Sequence, residues 1–201
     1  MSDPVVWIID DDEAVGDSLQ LLLRTIGLDS HYFTNGAAFL EAYNEQAPGC
    51  AVVDLRMPGM SGLELQEELH RRQATIPIVF LTGHGTVDSA VHAMRAGAVD
   101  FLRKPIDDQE LLDVIQRAVR QDQQSHQQLA EQQQLAARYE SLTQREREVM
   151  ERVVEGQANK VIAIELGVSD RTVEIHRARV MKKMEAASLP HLVRMALTLR
   201  G

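Results

Sequence analysis

The sequence predicts an α/β doubly wound parallel five-stranded sheet in the order 2-1-3-4-5, followed by a helical linker and a small all-α helix-turn-helix domain. Three observations carry this reading. Short apolar runs alternate five times with helix-period segments across residues 1–120. A glutamine-rich stretch then ends the alternation, and only helical periods follow it. Charge shifts along the same axis: 19 acidic and 9 basic side chains in residues 1–120, 3 and 1 in 121–140, and 8 and 11 in 141–201, within a net charge of −9.

The first strand, residues 5–10, is Val5-Val6-Trp7-Ile8-Ile9 ending at Asp10, with Asp11 and Asp12 next and a helix over 13–26. Asp12 either caps that helix or adds a third acid to the strand end. A strand over 29–33 and a helix over 36–44 follow. The third strand, 50–54, brings Ala51-Val52-Val53 to Asp54, and the loop through Pro58, Gly59 and Ser61 opens a helix over 62–71 with Ser61 as its N-cap. The fourth, 77–81, leads to Thr82 before a helix over 87–96. The fifth, 99–102, leads to Lys104-Pro105, where a cis bond would aim the lysine inward, before a helix over 107–120. Right-handed crossovers with short loops favour the order 2-1-3-4-5, which gathers all four polar strand ends at the edge where open α/β sheets bind ligands.

With 201 residues, 44% hydrophobic and 25% charged, the chain has enough core for two small domains. The expected division is 1–120, a linker over 121–140, and 141–201. No apolar run approaches bilayer length and no secretory signal is visible, so a cytoplasmic location without membrane association is expected. The single cysteine, Cys50, reads as a small buried hydrophobe rather than a reactive thiol.

Between residues 121 and 134 stand eight glutamines, and no Pro or Gly appears until Gly156, so this segment extends the preceding helix. Leu129, Leu135, Tyr139 and Leu142 give it a thin apolar stripe, which fits either a solvated spacer or a marginal coiled coil. Thr143-Gln144-Arg145-Glu146 is a capping box for a helix with Val149, Met150, Val153 and Val154 inward. Asn159 is placed to cap a second helix that ends at Gly167, and Ser169 a third that runs to about Met184, giving helix-turn-helix spacing. On the third helix Val173, His176, Val180 and Met184 form the inner stripe. The opposite face carries Arg171, Glu174, Ile175, Ala178 and Lys182, flanked by Arg177, Arg179 and Lys183. Arg can read guanine, Glu can accept from cytosine and Ile can touch a thymine methyl, while the outer cations and Lys160 suit phosphates. The competing reading is a three-helix unit whose basic face is only solvated. In a last helix, Leu192, Val193, Ala196 and Leu197 serve as core or as dimer contacts.

The first half carries a different chemistry. Asp10, Asp11 and Asp54 make a hard-oxygen site suited to Mg²⁺, with Mn²⁺ as a substitute. The direct ligands would be Asp11, Asp54 and the Arg56 carbonyl, with Asp10 acting through water. Asp54 is the candidate nucleophile toward a phosphoryl group, giving an acyl phosphate. Lys104 would neutralise one phosphoryl oxygen, and the Thr82 hydroxyl with backbone N–H groups at Thr82 and Gly83 another. Gly83 is expected to keep the cleft open. Arg56 and His84, two positions beyond Asp54 and Thr82, are expected to control water entry and hence the phosphoryl lifetime, although His84 also reads as a solvated loop histidine. A magnesium-dependent hydrolase lacks a substrate pocket and a dedicated acid or base, so no enzyme activity beyond the chain's own phosphotransfer and dephosphorylation is expected.

Through Ile9-Asp10-Asp11-Asp12, Val53-Asp54-Leu55-Arg56-Met57-Pro58-Gly59, Leu81-Thr82-Gly83 and Lys104-Pro105, residues 4 to about 120 resemble the flavodoxin-like receiver domains of two-component response regulators. The resemblance implies phosphorylation of Asp54 by a sensor histidine kinase, a switch by Thr82, and a rotamer change at Phe101. Residues 141–199 resemble the LuxR-type DNA-binding domain through Leu142-Thr143-Gln144-Arg145-Glu146, Asn159-Lys160, Val168-Ser169, Thr172-Val173-Glu174-Ile175-His176 and Met181-Lys182-Lys183-Met184. This likeness adds Thr172 to the DNA face. Together they resemble transcription regulators of the FixJ/NarL type, nearer FixJ. Such a regulator is implied to form a homodimer on phosphorylation and to bind a palindromic double-stranded promoter site. The alternative is a phosphotransfer sink or adaptor whose C-terminal domain binds protein.

Overall fold

The computed structural model describes residues 3–43 and 47–200. The elements are β1 (Val5–Ile9), α1 (Glu13–Thr25), β2 (Asp29–Phe33), α2 (Gly36–Ala42), β3 (Gly49–Val53), α3 (Gly62–Arg71), β4 (Ile78–Thr82), α4 (Val87–Arg95), β5 (Asp100–Arg103), α5 (Asp108–Glu140), α6 (Gln144–Val154), α7 (Asn159–Leu166), α8 (Asp170–Lys183) and α9 (Leu189–Arg200). The expected end of the second helix at residue 44 lies outside the described residues. Two compact units divide the chain, one through His126 and one from Gln127.

In the first unit the five strands are parallel in the order β2-β1-β3-β4-β5. Successive residues of a strand point to opposite faces, so each central strand fills two cores. Val6, Ile8, Cys50 and Val52 join Leu19 and Leu23 of α1 and Leu111, Ile115 and Ala118 of α5. Trp7, Ile9, Ala51 and Val53 join Phe39 of α2, Leu65 and Leu69 of α3, and Ala93 of α4. β3 and β4 are buried on both faces, and the residues leading to their polar ends, 50–53 and 78–81, are apolar throughout. Cys50 is a buried free thiol, pushed up by burial and by the nearby Asp122 charge, in keeping with a packing role.

The helix starts follow local chemistry. Asp12 accepts from the Ala14 N–H at 3.0 Å, so it is the N-cap of α1. Ser61 and Thr86 open α3 and α4 with reciprocal capping boxes to Glu64 and Ser89. The Lys104-Pro105 bond is cis. Helix α5 passes through the glutamine-rich segment without a break. Within the first unit its buried Asp122 accepts from the Gly49 N–H at 2.8 Å, at the opposite end of β3 from Asp54. His126 Nε2 lies 3.4 Å from the same carboxylate, and burial raises the Asp122 carboxyl against the Gly49 bond and the His126 charge.

The second unit packs Leu135 and Leu142 with α6, α7, α8 and α9 around Val149, Ile162, Val173, Val180, Met184 and Leu192. Of the anticipated linker stripe, Leu135, Tyr139 and Leu142 therefore belong to this core or its edge, while Leu129 is exposed. In α9, Leu192 and Ala196 are buried, Val193 is half-buried and Leu197 is exposed.

Candidate phosphoacceptor site and nucleic-acid interface

Main-chain hydrogen bonds past the strand ends carry the polar residues to one edge. The Asp10 N–H donates to the Phe33 carbonyl at 3.1 Å, the Asp54 N–H to Ile9 at 2.8 Å, and the Lys104 N–H to Thr82 at 2.9 Å. Side chains from β1, β3 and β5 then meet: the Lys104 ammonium donates to Asp10 Oδ2 at 2.6 Å and lies 3.7 Å from Asp54 Oδ1. The other Asp54 oxygen accepts from the Arg56 N–H at 2.7 Å. Asp10 and Asp54 are buried, and Thr82 is fully so, its hydroxyl accepting from the His84 N–H at 3.2 Å. Phe101 is half-buried, its ring 5.9 Å from that of Phe80. The side chains of Arg56 and His84 are exposed.

The donor set fits a hard divalent cation. Lys104 is the cation that pairs with Asp10 and Asp54, whereas Asp11 is exposed and has no hydrogen bond or ion pair to its carboxylate among the described residues. Negative charge is therefore in excess. No group of three or more His, Cys, Asp or Glu side chains among the described residues is arranged to hold a metal alone. Two carboxylates completed by backbone and water oxygens are the set Mg²⁺ takes.

Glycines set how closely this edge packs. A Cβ at Gly62 would sit 2.4 Å from the Asp54 carbonyl oxygen, so only glycine lets α3 begin against the end of β3. A Cβ at Gly83 meets nothing within 4 Å, so packing alone does not require a glycine there; the crowded glycine is Gly85, whose Cβ would lie 2.6 Å from the Phe101 ring and 3.1 Å from Thr82. Pattern reading also missed Tyr32, whose hydroxyl donates to the Asp10 carbonyl at 2.7 Å, and Gly16, where a Cβ would lie 2.4 Å from the Tyr32 ring. Burial, then the charges of Asp10, Glu13, Asp12 and Asp11, raise the Tyr32 phenol, which keeps it a donor. The available signal was a glycine inside a helix, which costs about 0.5–1 kcal/mol against alanine and so points to a close approach.

In the second unit, Arg171, Glu174, Ile175, Ala178, Arg179 and Lys182 of α8 are exposed, with Ile175 at 42%, and Lys160 of α7 is exposed as well. Arg171 and Glu174 pair at 3.0 Å across one turn, and Thr172 is half-buried with its hydroxyl 2.8 Å from that of Ser169. Two of the cations expected at phosphates have partners within the unit. Arg177 donates to Asn159 Oδ1 at 2.6 Å, and Lys183 to Glu146 Oε2 at 2.7 Å and the Ser141 carbonyl at 2.9 Å. Position along the helix explains this: both residues sit between the exposed face and the packed stripe, where a long side chain reaches a neighbour. Asn159 consequently does not cap α7; Ala158 holds the N-cap position without a side-chain bond. His176 is half-buried rather than part of a sealed stripe. Burial works to raise the Glu146 carboxyl, but bonds from Lys183 and Thr143 outweigh it and hold the group below the usual carboxylate range.

No helix among the described residues is long and apolar enough to cross a membrane. The family model "Response regulator receiver domain" matches residues 6–116, and "Bacterial regulatory proteins, luxR family" matches residues 140–196. The transcriptional regulatory protein FixJ of Azorhizobium caulinodans is 49% identical over 192 residues, 96% of this chain and 91% of the relative. The response regulator protein TodT of Pseudomonas putida is 42% identical, covering 98% of this chain and 86% of its own. The solved structure of the response regulator StyR matches with a TM-score of 0.92 and 42% identity over 98% of this chain and 99% of that one. The chain belongs to the FixJ-like response regulators, DNA-binding transcriptional regulators that join a receiver domain to a LuxR-type helix-turn-helix domain.

Proposed function

We propose that Asp54 is the phosphoacceptor and that its phosphorylation drives promoter binding. The observation that carries this is the ammonium of Lys104 held between Asp10 and Asp54, at 2.6 and 3.7 Å. That cation stands where charge develops during phosphoryl transfer. A phosphohistidine on a sensor kinase is the donor: an Asp54 oxygen bonds to phosphorus as the P–N bond breaks, and the freed imidazole takes a proton from water. Asp54 Oδ2 is already held by the Arg56 N–H, leaving Oδ1, on the Lys104 side, as the attacking atom. Asp11, Asp54 and the Arg56 carbonyl would hold Mg²⁺, or Mn²⁺ in its place, with Asp10 acting through water. The cation supplies charge neutralisation for a phosphoryl oxygen.

After transfer the Thr82 hydroxyl exchanges the His84 N–H for a phosphoryl oxygen, and Phe101, whose ring now packs against Gly85, changes rotamer with it. Arg56 and His84 stand exposed at the mouth and set the lifetime of the acyl phosphate. The chain's chemistry is limited to its own phosphorylation and dephosphorylation. The phosphorylated receiver pairs with a second copy, and two helices α8 enter successive major grooves of a palindrome. Arg171, Thr172, Glu174, Ile175 and Ala178 face the bases, while Lys160, Arg179 and Lys182 meet phosphates. The partners are thus a sensor histidine kinase, double-stranded DNA and a second copy.

Labelling with acetyl phosphate, run with a mobility shift on DNA selected from a random library, tests the reading. Wild type is expected to take one label and bind DNA more tightly; Asp54→Asn is expected to do neither. Label on Asp54→Asn would move the acceptor elsewhere, and label without any DNA binding would favour a phosphotransfer sink.

A further inference from the structure

We infer that Tyr32 is a positioning residue for the cation site, fixing the backbone of Asp11 by pinning the peptide plane that enters it. The inference rests on the reading of Asp11 as a metal ligand. Asp11 is the one carboxylate of the three with no side-chain partner among the described residues, so nothing holds it by direct contact. Its orientation is set instead by the two peptide planes on either side, each rigid.

Both planes are tied. The plane entering Asp11 carries the Asp10 carbonyl, which accepts from the Tyr32 hydroxyl at 2.7 Å. The plane leaving Asp11 carries the Asp12 N–H, which donates to Asp10 Oδ1 at 3.0 Å. Asp10 is itself anchored through its N–H to Phe33 and through Oδ2 to Lys104. With φ and ψ of Asp11 framed in this way, only its side-chain torsions remain to be ordered when a cation binds, and less entropy is lost.

Gly16 belongs to the same device. Tyr32 pairs with Ile8 across β1 and β2, and its ring lies flush on α1, where a Cβ at Gly16 would come within 2.4 Å of one ring carbon and 2.6 Å of another. A glycine is thus kept inside α1 at the one place where the ring must pass to reach Asp10. The hydroxyl and the missing methyl serve one geometry.

The test is calorimetric titration of the full chain with Mg²⁺ alone, beside thermal melts. Tyr32→Phe keeps the ring and removes the hydroxyl; it is expected to fold and to weaken Mg²⁺ binding about three- to tenfold, the range set by one net hydrogen bond. Asp11→Asn is expected to weaken binding further. Gly16→Ala with Tyr32→Leu relieves the crowding without restoring the donor, so it is expected to match Tyr32→Phe in affinity. Unchanged affinity in Tyr32→Phe, with Asp11→Asn impaired, overturns the role of Tyr32 while leaving Asp11 as a ligand. Unchanged affinity in Asp11→Asn overturns the underlying reading of the site.

Discussion

Single atoms decide the packing around Asp54, and the glycines rank themselves. A methyl at Gly62 meets the Asp54 carbonyl, which is backbone and cannot step aside, whereas at Gly85 it meets the end of the Phe101 ring, which can turn. At Gly83 it meets nothing. Chemical denaturation is therefore expected to rank Gly62→Ala as most damaging, at about 2–3 kcal/mol, Gly85→Ala at about 1, and Gly83→Ala within about 0.5. Equal costs at Gly83 and Gly85 would contradict this packing. The sequence made Asp10, Asp54, Thr82 and Lys104 legible because each ends an apolar run, and a strand end is a fixed place. Tyr32 was not legible, since it sits inside a mixed-polarity strand and reaches the acidic cluster only through the main-chain oxygen of Asp10.

At the level of elements, α6 and α8 are joined by the buried Glu146 and Lys183. Glu146 is held below its ordinary value, so its contribution to stability is complete above the unfolded-chain value of about 4.5 and is lost as pH falls through the lower folded value. Glu146→Gln is expected to cost about 1–3 kcal/mol at pH 7. Denaturation at pH 7 and pH 4 is expected to show the gap between wild type and variant narrowing at the lower pH; a constant gap would refute the assignment. Helix starts were readable here from Thr143, Glu146 and Ser169 because caps act locally. The neighbours of Arg177 and Lys183 were not, because a helix period says which side a residue occupies and not which neighbour a long aliphatic stem can reach.

Across the whole chain, the alternation of strands and helices, the strand order and the reversal of charge could all be read from residue types. The boundary between the compact units, at His126 and Gln127, falls inside the linker expected over 121–140, but its residue within that stretch could not be read. No proline or glycine marks it, since α5 runs unbroken through Glu140. Asp122 stands among glutamines that look uniformly solvated, yet it satisfies the start of β3 from 73 residues away.

That bond has a practical meaning for dissecting the protein. A receiver excised at Arg120, the natural place to cut from pattern alone, would keep every strand and the whole pocket around Asp10, Asp54 and Lys104 but strand the Gly49 N–H without its acceptor. Cutting after Gln127 retains it. The shorter fragment is expected to melt about 3–10 °C below the longer one, the loss that a buried unpaired donor brings to a domain of this size. Identical melting of the two fragments would show that water replaces Asp122 at no cost. Otherwise, a phosphorylation defect measured on the shorter fragment would report damaged footing beneath β3 rather than anything about its chemistry.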